Sequence, residues 1–264
     1  MKGILRHPLR VLFRGLWLGA ELGISAFNFS WMVGFGKKSR DNNRTKWLQV
    51  SSRRMLRVFN VSLGTTGDLP SAGFLACNHL SYLDILLIAA VTPCLFVAKR
   101  EVGGWPLLGW FARRAGCLFV DREKRSDVAR LNQKLRDHLE AGLLLVLFPE
   151  GTSSDGQTVL PFKSSLLEPA ARTRTSIFAG RIDYEIPDGD VGQEVCYWGD
   201  MTLIPHLINL LSKRRIEAQI IFSELTARAS DRKELARQLH SRVLSLRPTT
   251  SARDEITPLK LKPA

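Results

Sequence analysis

Residues 73–84 read GFLACNHLSYLD, and this stretch decides the fold. Residues 73–77 are small or apolar and uncharged, a run of the length and character of a fully buried strand. Asn78, His79 and Leu80 lead out of it. Ser81 then precedes an apolar segment, residues 82–90, with a helical pattern. A buried strand passing directly into a helix is half of a β-α-β unit, and the same alternation recurs along the chain. Further strands are expected at 94–98, 117–120, 143–148, 177–186, 194–198 and 216–222. Helices are expected at 106–115, 125–141, 163–172, 202–211 and 231–246. The order predicts an α/β layered domain over residues 61–246, with a largely parallel central sheet flanked by helices. In such sheets ligand sites gather where strands end and helices begin.

Three segments begin at predicted strand ends. The first is Asn78 to Asp84. Ser81 and Asp84 have the spacing of a capping box, with Asp in place of Glu, and on that reading His79 is only a turn residue. The same spacing sets the Asp84 carboxylate in the first helical turn beside His79, where it can accept the Nδ1 proton. The tautomer is then fixed and Nε2 is left as a base. The second segment runs from Ala98-Lys99 to Asp121-Arg122. It puts a guanidinium at a strand end, where it suits a phosphate or carboxylate or an ordinary surface ion pair. The third is Phe148-Pro149-Glu150-Gly151-Thr152-Ser153-Ser154, after the most hydrophobic predicted strand. Gly151 permits a close backbone approach, and Pro and Gly also serve as turn punctuation.

Charge separates the N-terminus from the body. The net charge is +13, yet residues 1–60 carry 12 Lys/Arg against two acidic residues, while residues 61–246 carry 22 against 21. Residues 15–36 are apolar with Glu21 as the one charged position, flanked by Arg6, Arg10 and Arg14 and by Lys37, Lys38, Arg40 and Arg44. Basic residues around an apolar stretch favour an anionic lipid surface over nucleic acid, whose binders carry their basic stripe on the folded body. A second stretch, residues 46–61, is amphipathic. The expectation is that residues 1–60 form two helices lying in one membrane leaflet, with the body in the cytoplasm. The competing expectation is a pair of ordinary amphipathic helices packed on the core. Residues 247–264 read as a loosely ordered tail.

Other chemistries fail on detail. Cys77, Cys94, Cys117 and Cys196 make no C-x-x-C pair and read as buried free thiols, so neither disulfides nor a bound metal is expected. Residues 151–155 miss the G-x-S-x-G elbow because Asp155 stands at its fifth position. Lys163-Ser164 follows Phe162, where a P-loop needs Gly.

Taken together and in order, the three segments resemble the 1-acyl-sn-glycerol-3-phosphate acyltransferases and related glycerolipid acyltransferases. Asn78, His79 and Asp84 match the Asn-His-x4-Asp signature, residues 116–122 the strand closing on Asp-Arg, and residues 148–152 the Phe-Pro-Glu-Gly-Thr signature. The resemblance covers roughly residues 70–225, and residues 1–60 look like the family's membrane anchor. It implies catalysis by His79 with Asp84. It also implies substrate binding by Arg122, Glu150, Gly151, Thr152 and Lys163, with Asn78 and Lys99 in support. The implied partners are membrane lipids, a lysolipid acceptor, and an acyl thioester on coenzyme A or acyl carrier protein. No bound cofactor is implied, and the implied place is the cytoplasmic face of a bacterial inner membrane.

Two departures bear on the acceptor. The family often continues its third signature with Arg-Ser, and here Ser153-Ser154 follow. The family's Val-Pro-rich fourth signature is only partly met at 177–186. Residues 150–166, EGTSSDGQTVLPFKSSL, look closer to a bacterial branch that includes lyso-ornithine lipid acyltransferases, whose acceptor has no phosphate. Breadth of the family makes lysophosphatidic acid the expected acceptor, giving phosphatidic acid, with lyso-ornithine lipid the alternative that Ser153 supports. A lipid-binding protein using the same fold without catalysis is the reading of another class.

Overall fold

The computed structural model describes residues 7–34, 40–105, 108–120, 125–172, 174–226, 229, 231–247 and 257–258. Residues 73–77 form β2 (Gly73–Cys77), buried along its whole length. Flanking it in the sheet are β5 (Leu144–Leu147) and β6 (Ile177–Glu185), both parallel to it. Beyond β5 lie β3 (Leu95–Lys99) and the edge strand β4 (Leu118–Val120). On the other side β7 (Ile216–Glu224) runs antiparallel to β6 and parallel to β1 (Val61–Thr66). The two-residue β8 (Thr257–Pro258) closes the order β4-β3-β5-β2-β6-β7-β1-β8 by pairing with Gly64 and Thr65. The sheet is thus largely parallel, as the sequence predicts. Within the tail expected to be loosely ordered, the described residues Thr257 and Pro258 pair with β1.

Side chains of β2 and β5 alternate between two cores, as strand geometry requires. Leu75, Cys77, Leu144 and Val146 face one layer, which includes α2 (Arg40–Val58), α3 (Leu83–Val91) and α8 (Leu203–Ser212). Phe74, Ala76, Leu145 and Leu147 face the other, built on α5 (Arg125–Glu140), α6 (Glu168–Arg172) and α9 (Arg232–Ser245). The shorter α4 (Leu108–Arg114) adds Phe111 to the first layer, where it stacks on Trp47. All four cysteines are free thiols, three of them buried.

The N-terminal helices divide the two expectations made for them. In α2 the apolar face is spent largely on the core: Trp47, Leu48, Met55 and Leu56 are buried, and Val50 is half-buried. The first helix, α1 (Pro8–Gly34), packs on α2 through a polar seam. Glu21 accepts from Trp17 Nε1 (3.0 Å) and pairs with Arg54 Nε (2.5 Å), Ser25 meets Ser51, and Trp47 Nε1 donates to the Ser25 carbonyl (2.8 Å). Glu21 is buried and Arg54 half-buried, so this pair is screened from solvent on one side only. Several basic residues expected to meet lipid instead serve the fold. Arg10 and Arg14 donate to the last carbonyls of α8, and Arg53 donates to Ala90 at the end of α3. Among the described residues no helix is long and apolar enough to cross a membrane.

Candidate active site

At the end of β2, Asn78 continues the strand ladder with its side chain. Its Oδ1 accepts from Ile182 N–H (2.7 Å) and its Nδ2 donates to the Ile182 carbonyl (2.9 Å). Two backbone groups of β6 are therefore satisfied where the main chain of β2 turns away. His79 comes next, held on both sides of its peptide: its N–H donates to Glu150 Oε1 (2.7 Å) and its carbonyl accepts from Ser154 N–H (3.0 Å).

The Asp84 carboxylate is wholly buried and has four hydrogen-bond partners. Oδ2 meets His79 Nδ1 (2.8 Å) and accepts from the N–H groups of Leu80 (2.6 Å) and Ser81 (2.9 Å). Oδ1 accepts from the Tyr184 hydroxyl (2.6 Å). An ionised carboxylate only accepts, so the imidazole proton sits on Nδ1 and the lone pair on Nε2. Among the described residues Nε2 has no partner, and the side chain is 20% exposed. The capping box predicted for Ser81 and Asp84 forms only half. Asp84 reaches back to the Ser81 N–H, but the Ser81 hydroxyl is buried without a hydrogen bond.

Phe148 stacks on the His79 ring at 4.1 Å between centroids, and Phe96 continues the stack behind it. Glu150 differs from its expected part in head-group binding. It is buried, and its two oxygens are taken by the N–H groups of His79 and Leu160 (2.9 Å). It clamps the loop after β5 onto the β2–α3 segment. Burial lifts its carboxyl to about 7, against the pull of those two N–H bonds. Gly151 turns the chain at φ 74°, in the left-handed region that glycine tolerates. Thr152 and Lys163 are exposed, and the Lys163 N–H donates to the Pro149 carbonyl (2.8 Å). Lys99 is exposed at the same pole of the sheet, at the end of β3. Arg122 lies outside the described residues.

The segment at 194–198, expected as a strand, is the end of the short α7 (Val191–Glu194) followed by a loop. Contacts to the site override its strand-like composition. Tyr197 N–H donates to the Leu80 carbonyl (2.8 Å), and the Ser153 hydroxyl donates to the Tyr197 carbonyl. His206 fastens the loop from below. Its Nε2 donates to the Cys196 carbonyl (3.0 Å), which leaves Nδ1 to accept from the Tyr82 hydroxyl (3.0 Å). Burial lowers the His206 pKa, consistent with a neutral ring. Sequence reading missed Tyr184, Tyr197 and His206 as partners of the site, because each reaches it across the fold.

Comparison with known proteins meets this geometry from outside. The Acyltransferase family matches residues 65–183. A lyso-ornithine lipid O-acyltransferase of Pseudomonas aeruginosa is 33% identical over 201 residues, which cover 75% of this chain and 76% of that protein. The chain belongs to the acyltransferase family. It is an O-acyltransferase, of the group that acts on lysophospholipids and glycerolipids. A 1-acyl-sn-glycerol-3-phosphate acyltransferase of Neisseria meningitidis serogroup B is 34% identical over 186 residues, covering 64% of this acyltransferase and 73% of the relative. The fold is that of the 1-acyl-sn-glycerophosphate acyltransferase PlsC of Thermotoga maritima. The TM-score is 0.60 at 20% identity, over 93% of this chain and 99% of that one. His79 and Asp84 of this acyltransferase both fall within the matched segment.

Proposed function

We propose that this acyltransferase moves a fatty acyl group from an acyl thioester, on coenzyme A or acyl carrier protein, to the free hydroxyl of lyso-ornithine lipid. The observation that carries the chemistry is the open Nε2 of a His79 ring whose Nδ1 is bound to buried Asp84. Nε2 takes the acceptor's hydroxyl proton while the oxygen attacks the thioester carbonyl. Asp84 stabilises the imidazolium that forms. Collapse of the tetrahedral intermediate breaks the carbon–sulfur bond, completes the new ester, and returns the proton to the departing thiolate. General base assistance of this kind is worth about 10²–10⁴-fold.

The N–H groups of His79, Leu80, Ser81, Gly151 and Ser154 are committed within the protein. Those of Thr152 and Ser153 have no partner among the described residues, and they follow the turn at Gly151. They are the donors we assign to the oxyanion.

Ser153 supports a phosphate-free head group. It stands where related enzymes often carry Arg, and its hydroxyl is engaged with the Tyr197 carbonyl. Relatives in Pseudomonas aeruginosa and Rhizobium meliloti named for lyso-ornithine lipid support the same choice. Lysophosphatidic acid is the second reading, favoured by the Neisseria relative. The membrane is met through α1, which exposes Leu9, Leu12, Phe13, Leu16, Phe27 and Trp31.

The test uses the full chain in vesicles with one acyl thioester and both acceptors in competition. His79→Ala is expected to abolish transfer while vesicle binding persists, and the parent to prefer lyso-ornithine lipid. Equal transfer by variant and parent overturns the base; preference for the phosphate acceptor overturns the head group.

A further inference from the structure

We propose that Tyr184 is a positioning residue of the reaction, holding Asp84 so that His79 has one tautomer and one orientation. The proposal rests on the reading of His79 as the base. Asp84 Oδ2 is saturated by the His79 ring and two backbone N–H groups, all from its own segment. Among the described residues Oδ1 has a single hydrogen bond, from the Tyr184 hydroxyl at 2.6 Å, a hundred residues away in sequence and on a different element. Both partners are buried, so water does not substitute for the phenol. Without it the carboxylate keeps an unsatisfied oxygen, and its orientation rests on the Oδ2 contacts alone.

Strand β6 is the ruler for both halves of the arrangement. Ile182 binds the Asn78 carboxamide through its own N–H and carbonyl, and Tyr184, two residues on and on the same face, binds Asp84. The segment 78–84 is thus gripped at each end by one strand. Tyr184 lies one position beyond the stretch that matches the family.

A neutral phenol donating to a carboxylate spreads its charge and lowers its basicity. Losing the phenol makes Asp84 a stronger partner for the imidazolium, so the His79 pKa rises. The titratable groups facing this cluster are His79 and Tyr82, Cys77 on β2, Cys196 on the loop after α7, and Glu150. Burial keeps Cys77, Cys196, Tyr82 and Tyr184 protonated through neutrality. Glu150 also titrates near neutrality, so the imidazole itself must be followed.

The experiment compares parent and Tyr184→Phe in kcat against pH and in the NMR titration of the His79 ring. We expect kcat about tenfold lower at pH 7 with KM little changed, the size of one lost hydrogen bond to a charged group. The loss should narrow at higher pH, and the His79 titration should move up by about half a unit. Incorporating 3-fluorotyrosine, whose more acidic phenol donates more strongly, should move the same titration down without any change of side-chain shape. An unmoved His79 titration in either sample overturns the proposal. So does a kcat loss of one constant factor at all pH values. If His79→Ala retains transfer while the Tyr184→Phe titration still moves, the base assignment has failed and the positioning has not.

Discussion

Glu150 Oε1 accepts the backbone N–H of His79 at 2.7 Å, so the carboxylate two residues after Phe148 holds the His79 segment by its main chain. Burial raises this carboxyl from its ordinary 4.5 to about 7. Between those values the folded protein keeps a proton that the unfolded chain has released. The sign follows: Glu150's contribution to stability is full below about pH 4.5, falls as pH rises to about 7, and is level beyond. The span corresponds to about 3 kcal/mol. Denaturant unfolding of parent and Glu150→Gln at pH 5 and pH 8 measures it. The parent should lose stability over that range and the Gln variant should lose much less. Parallel slopes would remove Glu150 as the source.

Phe148 lies flat against the His79 ring and is itself backed by Phe96. On the proposed reading of His79 as the base, this stack would stop the imidazole swinging off the Asp84 axis. Phe148→Leu keeps an apolar side chain but removes the flat surface. We expect kcat to fall several-fold with a stability loss of about 1–2 kcal/mol, below the cost of truncating a core Phe to Ala. Steady-state rates and unfolding on the same preparation separate the two effects. Unchanged kcat in a destabilised protein would make Phe148 a packing residue only.

Much of this was legible in the sequence where local pattern and tertiary demand agree. Residues 73–77 are buried on both faces of the sheet, so their apolar run marks the strand to the residue. Asp84 next to His79 was readable because five positions of one chain make the contact. The misses share a cause. Strand β1, Val61-Ser62-Leu63-Gly64-Thr65-Thr66, has weak strand character and is made by pairing with β7, some 150 residues on. Residues 194–198 have strand composition but are held as a loop by Leu80, Ser153 and His206. The clamp role of Glu150 depends on Leu160 and His79 meeting it from two segments. No local signal announces partners that the fold itself brings together.

Ser153 donates to the Tyr197 carbonyl and carries no charge to the acceptor. An arginine in its place would bring a guanidinium able to bind phosphate bidentately. For Ser153→Arg we expect the ratio of lysophosphatidic acid to lyso-ornithine lipid transfer to rise by about tenfold, the worth of a charge-assisted hydrogen bond that only the phosphate acceptor can make. Competition between the two acceptors with a single thioester donor reads this ratio directly. A ratio that stays with the parent's would show that residue 153 does not read the head group.

The exposed face of α1 is largely apolar, with Ser30 a polar residue on it, and the spacing of its large side chains is that of one helical stripe. Leu9, Leu12, Phe13, Leu16, Ile24, Phe27 and Trp31 all face outward, with Gly19, Ala20 and Gly23 between them. The helix spans 27 residues, about 40 Å at its usual rise, and its one acidic residue, Glu21, faces the protein. On the proposal that this face lies in the plane of a leaflet, each Leu or Phe buried there is worth about 1.5–3 kcal/mol. The double variant Leu16→Glu/Phe27→Glu removes two of these side chains and leaves the Glu21–Arg54 and Ser25–Ser51 seam intact. Vesicle flotation should show partitioning weakened by about 10²-fold or more, with the His79 chemistry retained on a detergent-dispersed acceptor. Unweakened flotation would exclude this stripe as the membrane contact. Unweakened flotation together with loss of a dimer in solution would assign the face to a second copy of the chain instead.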